Sequence, residues 1–240
     1  MFRLLIVLCA STAAHGALPL GWKACRRADP KYNQCLSKEI ENAVRSLANG
    51  DKSLKVLPLD PLRISELKIG KGSGPVSLDL VMRDADGYGL KNIQVKDTKN
   101  DWKRMTVKAY IPKFTVLSDY KVDGKVMVLP ITGEGRGNLT FEHLTVNGEV
   151  KWKRIKRGNT EYFNMESLTV PLMPKRMYFN LENLFNGNKA LGDNMNKFLN
   201  ENWSDIMDEL RDPVSEALSM VFIQIANQIL SQIPANEIDK

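Results

Sequence analysis

The chain has 240 residues, with 34 lysines and arginines against 28 aspartates and glutamates, a formal charge of +6 and a pI near 9.1. That length accommodates one large or two small domains. So small a positive excess for the size excludes inferring a polyanionic partner from charge alone.

Residues 1–16 read as a secretory signal. Arg3 supplies the positive end, Leu4 to Ala10 a short apolar stretch, and Ala14-His15-Gly16 a small-x-small site for cleavage before Ala17. The stretch is too short to span a bilayer. The expected mature chain, 17–240, is therefore secreted and extracellular, with a charge of +5 once Arg3 is lost from +6. Nucleic acid is not an expected partner outside the cell.

Cys9 leaves with the signal, so Cys25 and Cys35 are the cysteines of the mature chain. An even count in an oxidising compartment predicts that they are joined. The loop they close is short, which limits the gain to about 2–3 kcal/mol, enough to pin a local feature. That feature is a helix from about Asn33 to Asn49, with Leu36, Ile40, Val44 and Leu47 on one face and Gly50 as its stop.

From Val76 to Val170 the pattern is strand, with segments at Val76–Met82, Gly89–Val95 and Tyr162–Val170 flanking a long central run. Asp84-Ala85-Asp86-Gly87 and Asp123-Gly124 are turn candidates. In the central run, alternation is clear but its parity keeps switching. Met105, Val107, Ala109 and Ile111 share one face, and after Pro112 the apolar set moves to Phe114 and Val116. Val122, Val126 and Val128 are followed, after Pro130, by odd positions from Gly133 to Phe141; a further switch near His143 leads into Leu144, Val146, Val150 and Trp152. A strand that keeps one face inward changes parity only through a bulge, kink or break, and repeated kinks curl a sheet.

The inward glycines of Gly133-Glu134-Gly135-Arg136-Gly137 have phosphate-loop spacing but lie within strand alternation, not between a strand and a helix. They predict space for helix backbone or a guest molecule. Lys189 to Ile233 then reads as one long amphipathic helix, with Leu191, Met195, Phe198, Leu199, Ile206, Met207, Leu210, Val214, Leu218, Phe222, Ile225 and Ile229 on one stripe. Past Met220 the apolar positions spread around the helix, so that end should be enclosed. Gln224, Asn227, Gln228 and Ser231 interrupt it too often for a membrane span, and the stripe is too broad for a coiled coil. Pro213 either opens a new segment or kinks a continuous rod. A curled sheet and a long apolar rod are complementary, so the sheet is expected to wrap the helix.

Chemistry is sparse. His143 is the single histidine after signal removal, which argues against a zinc site. Lys71-Gly72-Ser73-Gly74-Pro75 is turn-forming and lacks the strand and helix a nucleophile elbow needs. Nothing nominates an enzyme, a metal or a cofactor. The basic run Lys151-Trp152-Lys153-Arg154-Ile155-Lys156-Arg157 reads either as an anionic-lipid patch or as a guarded strand edge before a turn; strand alternation favours the second. Asn138-Leu139-Thr140 and Asn202-Trp203-Ser204 are glycosylation sequons.

The segment Asn183-Leu184-Phe185-Asn186-Gly187-Asn188-Lys189-Ala190-Leu191-Gly192-Asp193-Asn194-Met195-Asn196-Lys197-Phe198-Leu199-Asn200-Glu201-Asn202-Trp203 closely resembles the C-terminal signature of the insect takeout and juvenile-hormone-binding protein family. Cys25 and Cys35, the Leu59-Asp60-Pro61-Leu62-Arg63-Ile64 run, and Tyr120 through Gly135 with Leu129-Pro130-Ile131 agree with it. The similarity covers nearly the whole mature chain and is closer to takeout-like members than to haemolymph hormone carriers.

The resemblance implies an α+β fold in which a strongly curved antiparallel sheet wraps a long C-terminal helix and encloses a hydrophobic tunnel, a TULIP-like arrangement with a short N-terminal helix. It implies a secreted carrier, without catalysis, for a terpenoid such as juvenile hormone or a long-chain lipid. The family disulfide maps onto Cys25 and Cys35. A monomer without stable membrane insertion is expected. Parity and helix face nominate Met82, Met105, Val107, Phe114, Val116, Val128, Phe141, Met165, Phe198, Trp203, Met207 and Phe222 as ligand-lining, with Ser118 and Tyr120 for a ligand's polar end. The alternative is a membrane-surface lipid-recognition or lipid-transfer protein using Lys151 to Arg157.

Overall fold

The computed structural model describes residues 18–70, 74–101 and 103–240. The expected signal, 1–16, and residues 71–73 of the glycine-rich turn lie outside them. Helix α1 (Tyr32–Ser46) is followed by β1 (Leu62–Ile69), β2 (Val76–Tyr88), β3 (Gln94–Asn100), β4 (Arg104–Val126), β5 (Leu129–Arg157), β6 (Thr160–Thr169), β7 (Leu172–Met173) and β8 (Arg176–Leu181). Helices α2 (Lys189–Glu201), α3 (Trp203–Leu230) and α4 (Ala235–Ile238) complete the chain.

The central run is a single antiparallel hairpin, β4 on β5, paired from Arg104↔Lys151 to Val126↔Leu129. Asp123-Gly124 therefore lies within the ladder, opposite Thr132 and Ile131. The turn is Met127-Val128, with Met127 at φ 55°. Asp84–Gly87 is likewise not a turn: β2 runs through it with a bulge between Arg83 and Asp86. Gly89–Val95 is a short 3₁₀ turn at Leu90–Asn92 leading into β3, which pairs with the first half of β4 while β2 pairs with the second.

The parity switches at Pro112 and His143 are one feature. Ile111↔Leu144 and Phe114↔Phe141 are cross-strand pairs, so Pro112 stands opposite His143 at a common corner of the hairpin. His143 takes φ 50° there, and its exposed ring accepts or donates a 2.7 Å hydrogen bond with the Tyr110 hydroxyl. In β6, Trp152↔Met165 follows Lys151↔Ser167, so Glu166 bulges out and Met165 and Leu168 both face inward. A 29-residue strand would run about 95 Å if straight, about twice the diameter of a compact chain of this size, so β5 has to curl.

The curl brings both edges of the sheet to α3, which packs against β1, β2, β6 and β8. Asn227 fastens the helix to β6 by accepting from the Met165 backbone N–H at 2.7 Å and donating to its carbonyl at 3.0 Å. Ser215 similarly accepts from the Val170 N–H at 2.9 Å. The expected single rod is two helices, broken at Asn202, whose side-chain amide donates to Phe198 O at 2.8 Å in competition with the helix ladder. Pro213 lies inside the continuous α3.

The inward glycines admit neither a helix nor a guest. A Cβ on Gly135 would stand 2.5 Å from Glu182 O, and one on Gly133 would stand 3.0 Å from the Leu184 Cα. The segment after β8 thus crosses the sheet surface in contact with its backbone, and the Tyr120 hydroxyl donates to Glu182 O at 2.6 Å. This plug, with Val122, Val126, Ile131, Leu184, Met195 and Leu199, forms a closed core beneath α2.

Candidate functional site

Beyond the plug, the inner face of the curled sheet, α3 and α1 enclose a cavity of about 510 Å³. Among the described residues, its wall is built only from Gly, Ala, Val, Leu, Ile, Met, Phe and Trp, with no charged or hydroxyl side chain. This follows from how the elements are written: each strand offers one alternate face, and the corners keep that face inward through the curl. The volume falls in the range of small-molecule pockets, about 300–1,000 Å³.

Of the residues nominated from sequence, Met82, Met105, Val107, Phe114, Val116, Phe141, Met165, Met207 and Phe222 line this cavity. Phe114 and Phe141 face each other with ring centroids 6.3 Å apart. Five others stand elsewhere. Val128 occupies the hairpin tip and is 88% exposed, because the register puts the turn there and not at Asp123-Gly124. Tyr120 is buried in the plug, since it lies over the glycines opposite it. Ser118, fully buried opposite Gly137, falls on the same covered stretch and not on the cavity wall. Phe198, on α2, packs against the closed core, and Trp203, at the start of α3, packs beside the cavity under the Arg176 guanidinium, 5.8 Å from its ring. The break at Asn202 turns these two away from the stripe of a single rod.

Other contributors were absent from the nominated set. Ile40, Ala43 and Val44 on α1 and Leu47 in the 3₁₀ turn that follows it line one wall, as do Leu62, Ile64, Leu67 and Ile69 on β1. The α1 face was legible as amphipathic, but nothing local says what it covers. In β1 the step from Ile64 to Leu67 is a parity switch of the same kind as at Pro112. Trp22 and Trp152 also line the cavity; the Trp22 indole donates to Ser46 Oγ at 2.9 Å.

The Cys25–Cys35 disulfide is formed. It holds the first turn of α1 to the segment that meets the C-terminus, where Cys25 bridges Asp239. Glu41 accepts from the Val95 N–H at 2.9 Å and Arg45 donates to Ile93 O at 2.9 Å, seating α1 beside β3. In the basic run, Lys153 pairs with Glu166 at 3.1 Å and Arg154 with Glu161 at 3.1 Å and with Asp239. Asn138 is exposed on the outer face of β5. Among the described residues no acidic, cysteine or histidine cluster is arranged to hold a metal ion, and no helix is long and apolar enough to cross a membrane.

The model of the haemolymph juvenile hormone binding protein family matches residues 4–239. The circadian clock-controlled protein daywake of Drosophila melanogaster is 29% identical over 242 residues, covering 96% of this chain and 91% of that one. Its Drosophila yakuba counterpart is 27% identical over 225 residues, covering 90% and 86%. The crystal structure of Epiphyas postvittana Takeout 1 superposes with a TM-score of 0.79 at 27% identity, over 91% of this chain and 99% of the other. Matched end to end by the family and sharing the curled sheet around a long C-terminal helix, the chain belongs to the haemolymph juvenile hormone binding protein family, as a takeout-like member.

Proposed function

We propose that this protein is a secreted, monomeric, non-catalytic carrier that holds one small hydrophobic molecule, a terpenoid such as juvenile hormone or a long-chain lipid, in the cavity between the sheet and α3. The observation that carries the reading is the cavity itself: about 510 Å³ bounded by apolar side chains, in a member of a binding-protein family. A protein of this size has ample means to close such a volume, as the solid core under α2 demonstrates. Burying a fifteen-carbon guest gains roughly 10 kcal/mol at ~0.8 kcal/mol per methylene-sized unit, less association costs of several kcal/mol. The net corresponds to micromolar to nanomolar affinity.

The disulfide supports an oxidising compartment and hence the signal reading of residues 1–16, with 17–240 acting as one carrier domain. Exposed Asn138 is the better glycan acceptor; the Asn202 amide is engaged with Phe198 O. For the membrane-surface alternative, the run Lys151 to Arg157 would need free cations, and the pairing of Lys153 and Arg154 within the fold weighs against it.

Native mass spectrometry of protein from its natural source, followed by solvent extraction, tests the carrier reading; an apolar molecule released in stoichiometric amount is expected. Cosedimentation with anionic vesicles that is strong at low salt and lost at high salt would favour the membrane reading instead. Turnover of an apolar ester on long incubation would overturn the absence of catalysis.

A further inference from the structure

A curled sheet leaves the backbone groups along its edges without a strand partner, and such groups left open beside the cavity would give its wall polar atoms. Side chains of α2 and α3 take them up instead. The Asn200 amide accepts from the Phe179 N–H at 3.0 Å and donates to the Phe179 carbonyl at 2.7 Å, as Asn227 does at Met165, and Ser215 Oγ accepts from the Val170 N–H. Phe179, Met165 and Val170 all line the cavity, so three polar side chains outside the wall are spent on the backbone of residues within it.

Polar side chains around this space are closed off in the same way. The Trp22 indole donates to Ser46 Oγ at 2.9 Å, and Thr98, the cross-strand partner of the cavity-lining Val107, accepts from Ser37 Oγ at 3.0 Å. Ser118 Oγ and Trp152 Nε1 have no partner, but both atoms are buried beneath the wall surface, where a guest cannot touch them. Among the described residues the wall therefore offers a guest neither a donor nor an acceptor from any side chain, and no group on it titrates. A hydroxyl entering such a space gives up its bonds to water both as donor and as acceptor, and an ionised carboxylate gives up far more; neither is compensated. An ether or ester oxygen gives up only the bonds it accepts, and a hydrocarbon gives up none.

Resting on the carrier reading, we propose that the cavity selects guests with no hydrogen-bond donor and no charge, taking hydrocarbons, ethers and esters and rejecting the free acid or alcohol of the same length. The selection works through what a polar guest loses on leaving water, with no residue of the wall holding its head. It requires the whole molecule to enter, since a head left at the rim would keep its water.

Displacement of a fluorescent apolar reporter, the hydrocarbon 1,6-diphenyl-1,3,5-hexatriene, from the native protein tests this with two matched pairs. 1-Methoxyundecane and 1-dodecanol are isomers that differ in the donor, and the ether should bind tighter by about tenfold or more. Methyl dodecanoate should bind equally well from about pH 6 to pH 8. Dodecanoic acid, ionised above a pKa of about 4.3 as a glutamate side chain is, should weaken about tenfold per pH unit over that range, because only its neutral form enters. An alcohol that binds as well as the ether, or an acid that matches the ester with no pH dependence, would mean that a polar head is held by the protein or stays at the rim. Either result overturns the selection and leaves the carrier reading intact. Failure of all four compounds to displace the reporter overturns the two together.

Discussion

Tyr120 and Gly135 show how single positions shape the boundary of the cavity. The Tyr120 phenol is closed in beneath the 182–184 crossing, and burial, reinforced by the nearby Glu182 carboxylate, pushes its pKa up to about 12. A phenol with a raised folded-state pKa contributes fully below the ordinary value near 10, and that contribution is lost as pH rises toward 12. The native protein should therefore lose stability between about pH 10 and 12 in excess of Tyr120→Phe, measured as the difference between their urea midpoints across that range. Gly135→Ala places a methyl 2.5 Å from Glu182 O, a backbone atom that cannot swing aside. The expected loss is about 1–3 kcal/mol by thermal unfolding, with the plug loosened.

At the scale of elements, the attachments of α1 and α3 are separable. Replacing Cys25 and Cys35 together by serine opens a loop with a sequence separation of 10 and should cost about 2–3 kcal/mol. Because α1 buries no residue completely but lines the cavity through Ile40 and Val44, the same change should speed ligand release in stopped-flow dilution. Asn227→Ala removes both bonds between α3 and the Met165 backbone and leaves the N–H at the β6 bulge without an acceptor. A loss of about 1–3 kcal/mol is expected, with faster amide exchange confined to β6 and the adjoining turns of α3.

For the whole molecule, stability and capacity should come apart. Ala109 is buried on β4 with its side chain on the cavity wall, so Ala109→Phe puts a ring into space that protein atoms do not fill. Ordinary cores reject such an insertion at a cost of about 1–3 kcal/mol. Here the unfolding midpoint should change little while reporter binding falls at least tenfold, and a large drop in the midpoint with binding preserved would contradict an open interior. Ligand at one hundred times its Kd should raise the stability of the native protein by about 2.7 kcal/mol and of Ala109→Phe by much less.

The local order of this chain was legible because each signal is short-ranged. Alternation marked the inward set from Met105 to Ile111 and from Phe114 to Val116, proline and histidine marked the corner, and the cysteines and the α1 stripe were readable as written. The turn at Met127-Val128 was not, because Asp123-Gly124 is the stronger local turn former and only cross-strand register overrides it. That one displacement put Val128 outside and left the tip apolar. The tertiary structure alone decided which inward residues meet the cavity and which meet the plug. Ser118 and Tyr120 share parity with Phe114 and Val116, and what separates them is a backbone crossing about sixty residues further along, fitted against Gly133 and Gly135. Periodicity reports the face on which a side chain lies; whether protein or empty space stands over that face depends on a distant part of the chain.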